Sequence, residues 1–173
     1  MDKRRHLATD TGLYTYDVFE VLLNYEIARI KRYPSPITLL HLTLAANESS
    51  EEFRRQAHEA MTRLLNRTLR VSDVPSHYHE EFLVLLPATD EAGGRAVAER
   101  ILASFRTTQS LSTGKLSSRR DAYLGLTAEN GGSVLSPQQM LAEAAVAMNE
   151  ARLRKSYTYV AYSDVAKTTP GLS

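Results

Sequence analysis

The stretch "SHYHEEFLVLLP", residues 76–87, decides how this chain is read. Its second half, Phe82 to Leu86, is an unbroken apolar run stopped by Pro87, which predicts a strand buried on both faces. Its first half carries His77, Tyr78, His79 and two adjacent carboxylates, Glu80 and Glu81. With the preceding "VSDVP", the whole predicts a strand, a tight turn and a second, more apolar strand. Such a turn ordinarily contains glycine or asparagine, which supply positive φ at low cost. Here His77, Tyr78 and His79 stand where those residues are expected, and the head of the stretch reads as a place where chemistry could happen.

Outward from the hairpin, helical and strand patterns alternate. Apolar residues recur at helical spacing from Asp17 to Arg32 (Val18, Leu22, Tyr25 and Ile30, widened by Val21 and Ile27), and "YPSP" at 33–36 ends that helix. "ITLLHLTL" (37–44) predicts a buried strand with His41 inside it as a hydrogen-bonded core or site-wall residue. A second helix opens at Ser49 or Ser50 and runs to about Leu69, with Phe53, Ala57, Ala60, Met61, Leu64 and Leu65 on one side. "ATDEAGGRAVAERILASF" predicts a third helix. Its Gly93-Gly94 pair belongs to the helix's first turn, because no lysine or Gly-x-Gly spacing makes it a phosphate loop. Residues 107–120, serine-rich, predict a surface loop, and "DAYLGLTAE" a further strand. Ser136 and Pro137 open a fourth helix, "YTYVAYS" predicts an alternating closing strand with packed tyrosines, and "DVAKTTPGLS" a tail.

The implied class is α+β: a mixed central sheet with helices on its faces and a ferredoxin-like or palm-like βαββαβ core. One domain accounts for the 173 residues, spanning 10–165 between an N-terminal tail or linker (1–9) and a C-terminal tail (166–173). Hydrophobic residues make up 43% and charged residues 24%, with no run near the ~20 apolar residues of a membrane helix and no signal segment behind the basic N-terminus. A formal net charge of +1 provides no electrostatic case for nucleic acid, and the absence of cysteine fits a reducing, cytoplasmic setting.

The order of elements and their residues together resemble the GGDEF family, the diguanylate cyclases of bacterial second-messenger signalling. The resemblance covers about residues 8–163. It rests on Asp10-Thr11-Gly12-Leu13 followed by Phe19, on Glu80-Glu81-Phe82 with "LVLLP", on "AVAERI" (96–101), on "LGLTA" (124–128), and on "AVAMNEAR" (145–152) in the last helix. It implies a hairpin turn built on two glycines; Tyr78 takes the place of the residue before them, His79 alone replaces the pair, and a side chain fills the space that a purine would need. It implies two aspartates around an apolar residue at the end of the first strand, the first of them binding magnesium, where Thr43-Leu44-Ala45 is found. Glu80 and Glu81 alone leave an incomplete ligand set. The family's phosphate- and guanine-gripping loop has no counterpart, and its late phosphate-binding lysine corresponds to Arg152. Thr43, Ala45, Tyr78, His79, Glu80, Glu81 and Arg152 therefore outline a vestigial active site with no catalytic residue, no metal and no cofactor.

The resemblance further implies an inhibitory cyclic di-GMP site at Arg70-Val71-Ser72-Asp73, with Arg100 as a second arginine. A guanidinium pairs bidentately with a guanine edge or phosphate, and a carboxylate accepts from guanine. An arginine and aspartate at a corner also pair simply with each other, and both readings stand. His77 and His79 lie two apart, so on a strand they would share a face with Glu81 and could share a metal; a solvated hairpin tip is the plainer reading. The functional expectations are an inactive GGDEF-like receptor or regulatory module for cyclic di-GMP, a ligand-free module that docks another signalling protein or itself as a dimer, or a residual enzyme using Glu80 and Glu81.

Overall fold

A computed structural model describes residues 11–46, 50–112, 120–132 and 135–168. Its elements run α1 (Tyr16–Arg32), β1 (Ile37–Ala46), α2 (Glu51–Thr68), β2 (Val74–Tyr78), β3 (Glu81–Pro87), α3 (Glu91–Ser112), β4 (Arg120–Glu129), α4 (Pro137–Arg152), β5 (Thr158–Ala161) and α5 (Tyr162–Thr168). The five strands form one sheet in the order β2-β3-β1-β4-β5, antiparallel except for the parallel β4–β5 pair. The first four strands and their two connecting helices are the expected βαββαβ core.

Alternation along the strands builds two cores, because successive side chains point to opposite faces. Leu40 and Leu42 of β1, Phe82, Val84 and Leu86 of β3, and Leu124 and Leu126 of β4 meet α2 and α3. Ile37, Leu39, Leu83 and Leu85 meet α1 and α4. β3 is thus buried on both sides, as its apolar run requires.

Local signals place the helices. Ser50 caps α2 by accepting from the Phe53 N–H at 3.2 Å. Ser136 and Gln139 form a reciprocal capping box at the start of α4, with Pro137 in its first turn. Gly94 lets α3 lie close on Thr38, whose Cγ2 would stand 2.5 Å from an added Cβ.

Several expectations change in the folded chain. The buried face of α1 is Phe19, Leu23, Ile27 and Ile30, while Val21 and Tyr25 are exposed; the face is set by what the sheet can cover. Phe53 is likewise exposed. The expected loop at 107–120 is narrower, because α3 continues to Ser112 and β4 begins at Arg120; residues 113–119 lie outside the described residues. The closing strand holds only Thr158–Ala161, since Tyr157 has a left-handed φ of 59° and Tyr162 starts α5. That helix runs into the expected tail. Arg95 anchors it to α3 by donating to Glu91 at 2.6 Å and to Asp164 at 2.9 Å. The proposed N-terminal tail, 1–9, lies outside the described residues.

Gly125 sits in mid-β4 directly beneath α4. An added Cβ would meet the backbone N of Met148 at 2.1 Å and the carbonyl oxygen of Ala144 at 2.3 Å. Backbone cannot rotate away as a side chain can, so Gly125→Ala is expected to destabilise the domain by about 2–3 kcal/mol or more. Chemical denaturation measures this, and an unchanged midpoint would show that α4 lifts off the sheet freely.

Candidate functional site

The last hydrogen-bonded pair of the β2–β3 hairpin is Tyr78↔Glu81, so His79 and Glu80 form a two-residue turn. His79 has φ 54°, a conformation normally left to glycine that costs an ordinary residue about 1–2 kcal/mol. The rebuilt turn therefore keeps a glycine-like backbone without the glycine.

The hairpin side chains then separate. Tyr78 folds onto the α1 side, 5.0 Å from the Tyr16 ring and edge-on to His41 at 5.7 Å. It does not fill the space above the turn. His79 and Glu80 instead border an open cleft of about 450 Å³ between the turn, the first half of α2 and the start of β4. Leu44, Glu51, Arg54, Arg55, His58, Glu59 and Arg120 complete its wall. Tyr78 leaves the cleft open because it finds apolar and aromatic partners on the opposite face, while His79 lines the cleft.

The two carboxylates diverge for the same reason. Glu81 bonds to Nε2 of His41, which is 5% exposed, on the α1 and α4 side of the sheet. Glu80 turns toward α2, where its charge acts on His58 and Arg120. Thr43 and Ala45 lie beyond the last β1–β3 pair, opposite Tyr123 and Asp121 of β4, and Thr43 is buried. Arg152 borders a separate shallow hollow with Val146, Asn149, Glu150 and Leu153. His79 and Glu80 share the cleft, Tyr78 and Glu81 share the His41 side of the sheet, and Arg152 lines a different hollow. Among the described residues no three acids or histidines are grouped so as to hold an ion together.

His77 and His79 also part. His79 leaves the strand at the turn, while His77 stacks on His58 at 5.3 Å and pairs through Nε2 with the Thr11 hydroxyl at 2.7 Å. His58 in turn stacks on Phe82 at 4.5 Å. Sequence reasoning missed His58 and Arg120; the signal available was a histidine and a strand-opening arginine next to apolar runs, which is weak by itself.

At the other end of the hairpin, Arg70-Val71-Ser72-Asp73 closes the corner after α2. Asp73 is 2% exposed; its Oδ2 accepts from the Arg70 backbone N–H at 2.8 Å and its Oδ1 from Arg70 Nη2 at 3.3 Å. The same Nη2 donates to Thr89 at 2.8 Å. Asp73 is thus engaged in holding the corner, whereas the Arg70 side chain remains 57% exposed. Arg100 joins it from α3, donating to the Thr68 carbonyl at 3.4 Å, one of the unpaired carbonyls at the end of α2. The structure thus pairs Arg70 with Asp73 and sets Arg100 against the helix end two residues upstream of Arg70.

No family model matches the chain and no curated protein matches it. Solved structures do. The GGDEF domain of DgcB from Caulobacter crescentus, in complex with c-di-GMP, superposes with a TM-score of 0.72 at 16% identity, over 87% of this chain and 89% of that one. The GGDEF domain of TpbB (YfiN) from Pseudomonas aeruginosa gives 0.70 at 17% identity, over 91% and 96%. Diguanylate cyclase SiaD from the same organism, in complex with its activator SiaC, gives 0.68 at 22% identity, over 87% and 59%. The fold of this chain is that of GGDEF domains.

The two stacked histidines make stability depend on pH. Burial holds both imidazoles below their usual range; Glu80 and Glu59 oppose this at His58, and the charge of His58 adds to it at His77. A histidine with a depressed folded pKa stabilises fully above the unfolded value of about 6.5 and loses that contribution as pH falls through the folded one. The Tm should therefore drop between about pH 7 and pH 5, and His58→Phe should flatten that drop. Parallel Tm profiles for the two proteins would remove the histidine stack as the cause.

Proposed function

We propose that this chain is a bacterial, cytoplasmic signalling domain of the GGDEF fold that does not cyclise nucleotides. One observation carries the reading: Glu80 and Glu81 point to opposite faces of the sheet, with Glu81 engaged by His41. Phosphoryl transfer to form a cyclic dinucleotide needs carboxylates converging on metal ions that neutralise triphosphate charge. Thr43 and Ala45 offer no carboxylate to replace the missing partner. Incubation with GTP and magnesium should yield no cyclic di-GMP above a protein-free blank. Product that disappears in Glu80→Ala would overturn the proposal.

A second reading, a cyclic di-GMP receptor, is favoured by the convergence of Arg70 and Arg100 on one corner. The exposed Arg70 fork suits a guanine edge or a phosphate, and buried Asp73 pins that arginine in place. Calorimetric titration with cyclic di-GMP should show saturable binding, weakened about ten- to a hundredfold in Arg70→Ala. Asp73→Ala should weaken it too and also lower the Tm of the free protein, since it strips a buried bond from the Arg70 amide. Equal binding by wild type and Arg70→Ala, or silence in both, would leave a module that docks another protein or a second copy of itself.

A further inference from the structure

α1 carries two apolar stripes, and the sheet covers only one of them. At about 100° per residue, Phe19, Leu23, Ile27 and Ile30 fall on one side of the helix, where they are buried. Val18, Val21, Tyr25 and Ala28 fall on the opposite side, at successive intervals of three, four and three residues. Val21 is 67% exposed and Tyr25 65%, and Ala28 is exposed as well. This spacing is that of a seam which a second helix occupies, whereas apolar residues scattered over a surface keep no period. Periodicity in the sequence marks Val18, Val21 and Tyr25 as a packing face, and the domain leaves most of that face outside.

The charges beside the seam identify the occupant. Asp17, Asn24 and Lys31 follow one flank of it at intervals of seven residues. Asp17 stands in the first turn of α1 and Lys31 in the last, and neither makes an ion pair among the described residues. Within one chain they are separated by roughly 21 Å of helix, too far to meet. Two copies of α1 laid antiparallel about a twofold axis at Asn24 bring each Asp17 against Lys31 of the other copy. The same arrangement sets Val18 opposite Ala28 and Val21 opposite Tyr25, so that small side chains meet larger ones along the seam. A parallel pair lacks this complementarity: it levels Asp17 with Asp17 and Lys31 with Lys31, and sets Arg32 against Arg32 where the seam ends.

We propose that this chain forms an isologous homodimer through the outer face of α1, with the two helices antiparallel and the twofold axis at Asn24. The cleft at the hairpin turn lies on the α2 side of the sheet, and α1 packs on the other side. The dimer therefore turns the two clefts away from each other. It rests on the fold and on this helix face alone, and on no reading of the hairpin or of the Arg70 corner.

The test is sedimentation velocity of the full chain without nucleotide or metal. Over about 5–500 µM, wild type should show a monomer–dimer equilibrium with a Kd of about tens of micromolar, in keeping with a small interface. Tyr25→Glu should abolish the dimer and leave the Tm of the monomer unchanged, because that side chain lies outside the core. Asp17→Lys and Lys31→Asp should each weaken association roughly tenfold, since each reversal acts at two symmetric places. Combining the two should restore affinity. Helix stability cannot explain such a rescue, because the combined exchange opposes the helix dipole at both ends. The chain has no cysteine, so Asn24→Cys sets its single thiol at the twofold axis, and a short bismaleimide should link two copies. Val71→Cys, exposed at the corner after α2, should not be linked. A monomer throughout the range overturns the dimer, as does a dimer that persists in Tyr25→Glu, a combined charge exchange without recovery, or equal linking of the two cysteines. A monomer would leave the non-cyclising reading standing, and cyclic di-GMP synthesis would leave the dimer standing.

Discussion

The arrangement depends on one close approach: the backbone of α4 resting on Gly125. Because β4 carries no side chain there, Ala144 and Met148 come down onto the β1–β4 pair. That contact sets the depth of the lower core, in which Met140 and Ala144 meet Ile37, Leu39, Leu83 and Leu85. It also sets the layer into which the odd-numbered residues of β1 project. His41 lies in that layer, close-packed and needing a polar partner, and Glu81 meets that need. A backbone contact in the middle of the sheet thus reaches the hairpin through two side chains.

The hairpin shows how alternation distributes chemistry. Adjacent residues on a strand face opposite ways, so adjacent carboxylates meet at one point only where the backbone turns to redirect one of them. Here the turn ends at Glu80, and Glu81 is already paired in the sheet with Tyr78. One acid consequently serves the aromatic and histidine layer near α1, and the other borders the open cleft near α2. The result is two polar environments on either side of one sheet edge, each with its own histidine: His41 with Glu81, and His58 beside Glu80.

The corner after α2 carries a comparable economy. Asp73 satisfies the Arg70 backbone amide, and Arg100 satisfies a terminal carbonyl of the same helix. The second bond answers one of the unpaired carbonyls that a helix C-terminus leaves, and the first holds the corner that follows it. The by-product is a surface with two arginines near the end of α2, the Arg70 side chain 57% exposed. A structural role for Asp73 does not bury Arg70, whose side chain stays 57% exposed although its Nη2 donates to Asp73 and Thr89.

Much of the architecture was legible in the chain alone. The apolar run of Phe82 to Leu86, the caps at Ser50 and Ser136, and the prolines after Arg32 specify elements through short-range sterics and periodicity, which operate within a few residues. The order of those elements then implies the βαββαβ core, and the missing carboxylates at Thr43 and Ala45 are a matter of residue identity. What the chain could not reveal is direction and company. The short closing strand depends on the left-handed Tyr157 and on Arg95 reaching Asp164 across 69 positions. The separation of Glu80 from Glu81, the buried fork of Arg120 beside Arg54, and the stack of His58 on His77 join residues distant in sequence. Tertiary structure alone decided these, because which face a side chain takes and which charge it meets depend on strand register and on helices packed from elsewhere in the chain.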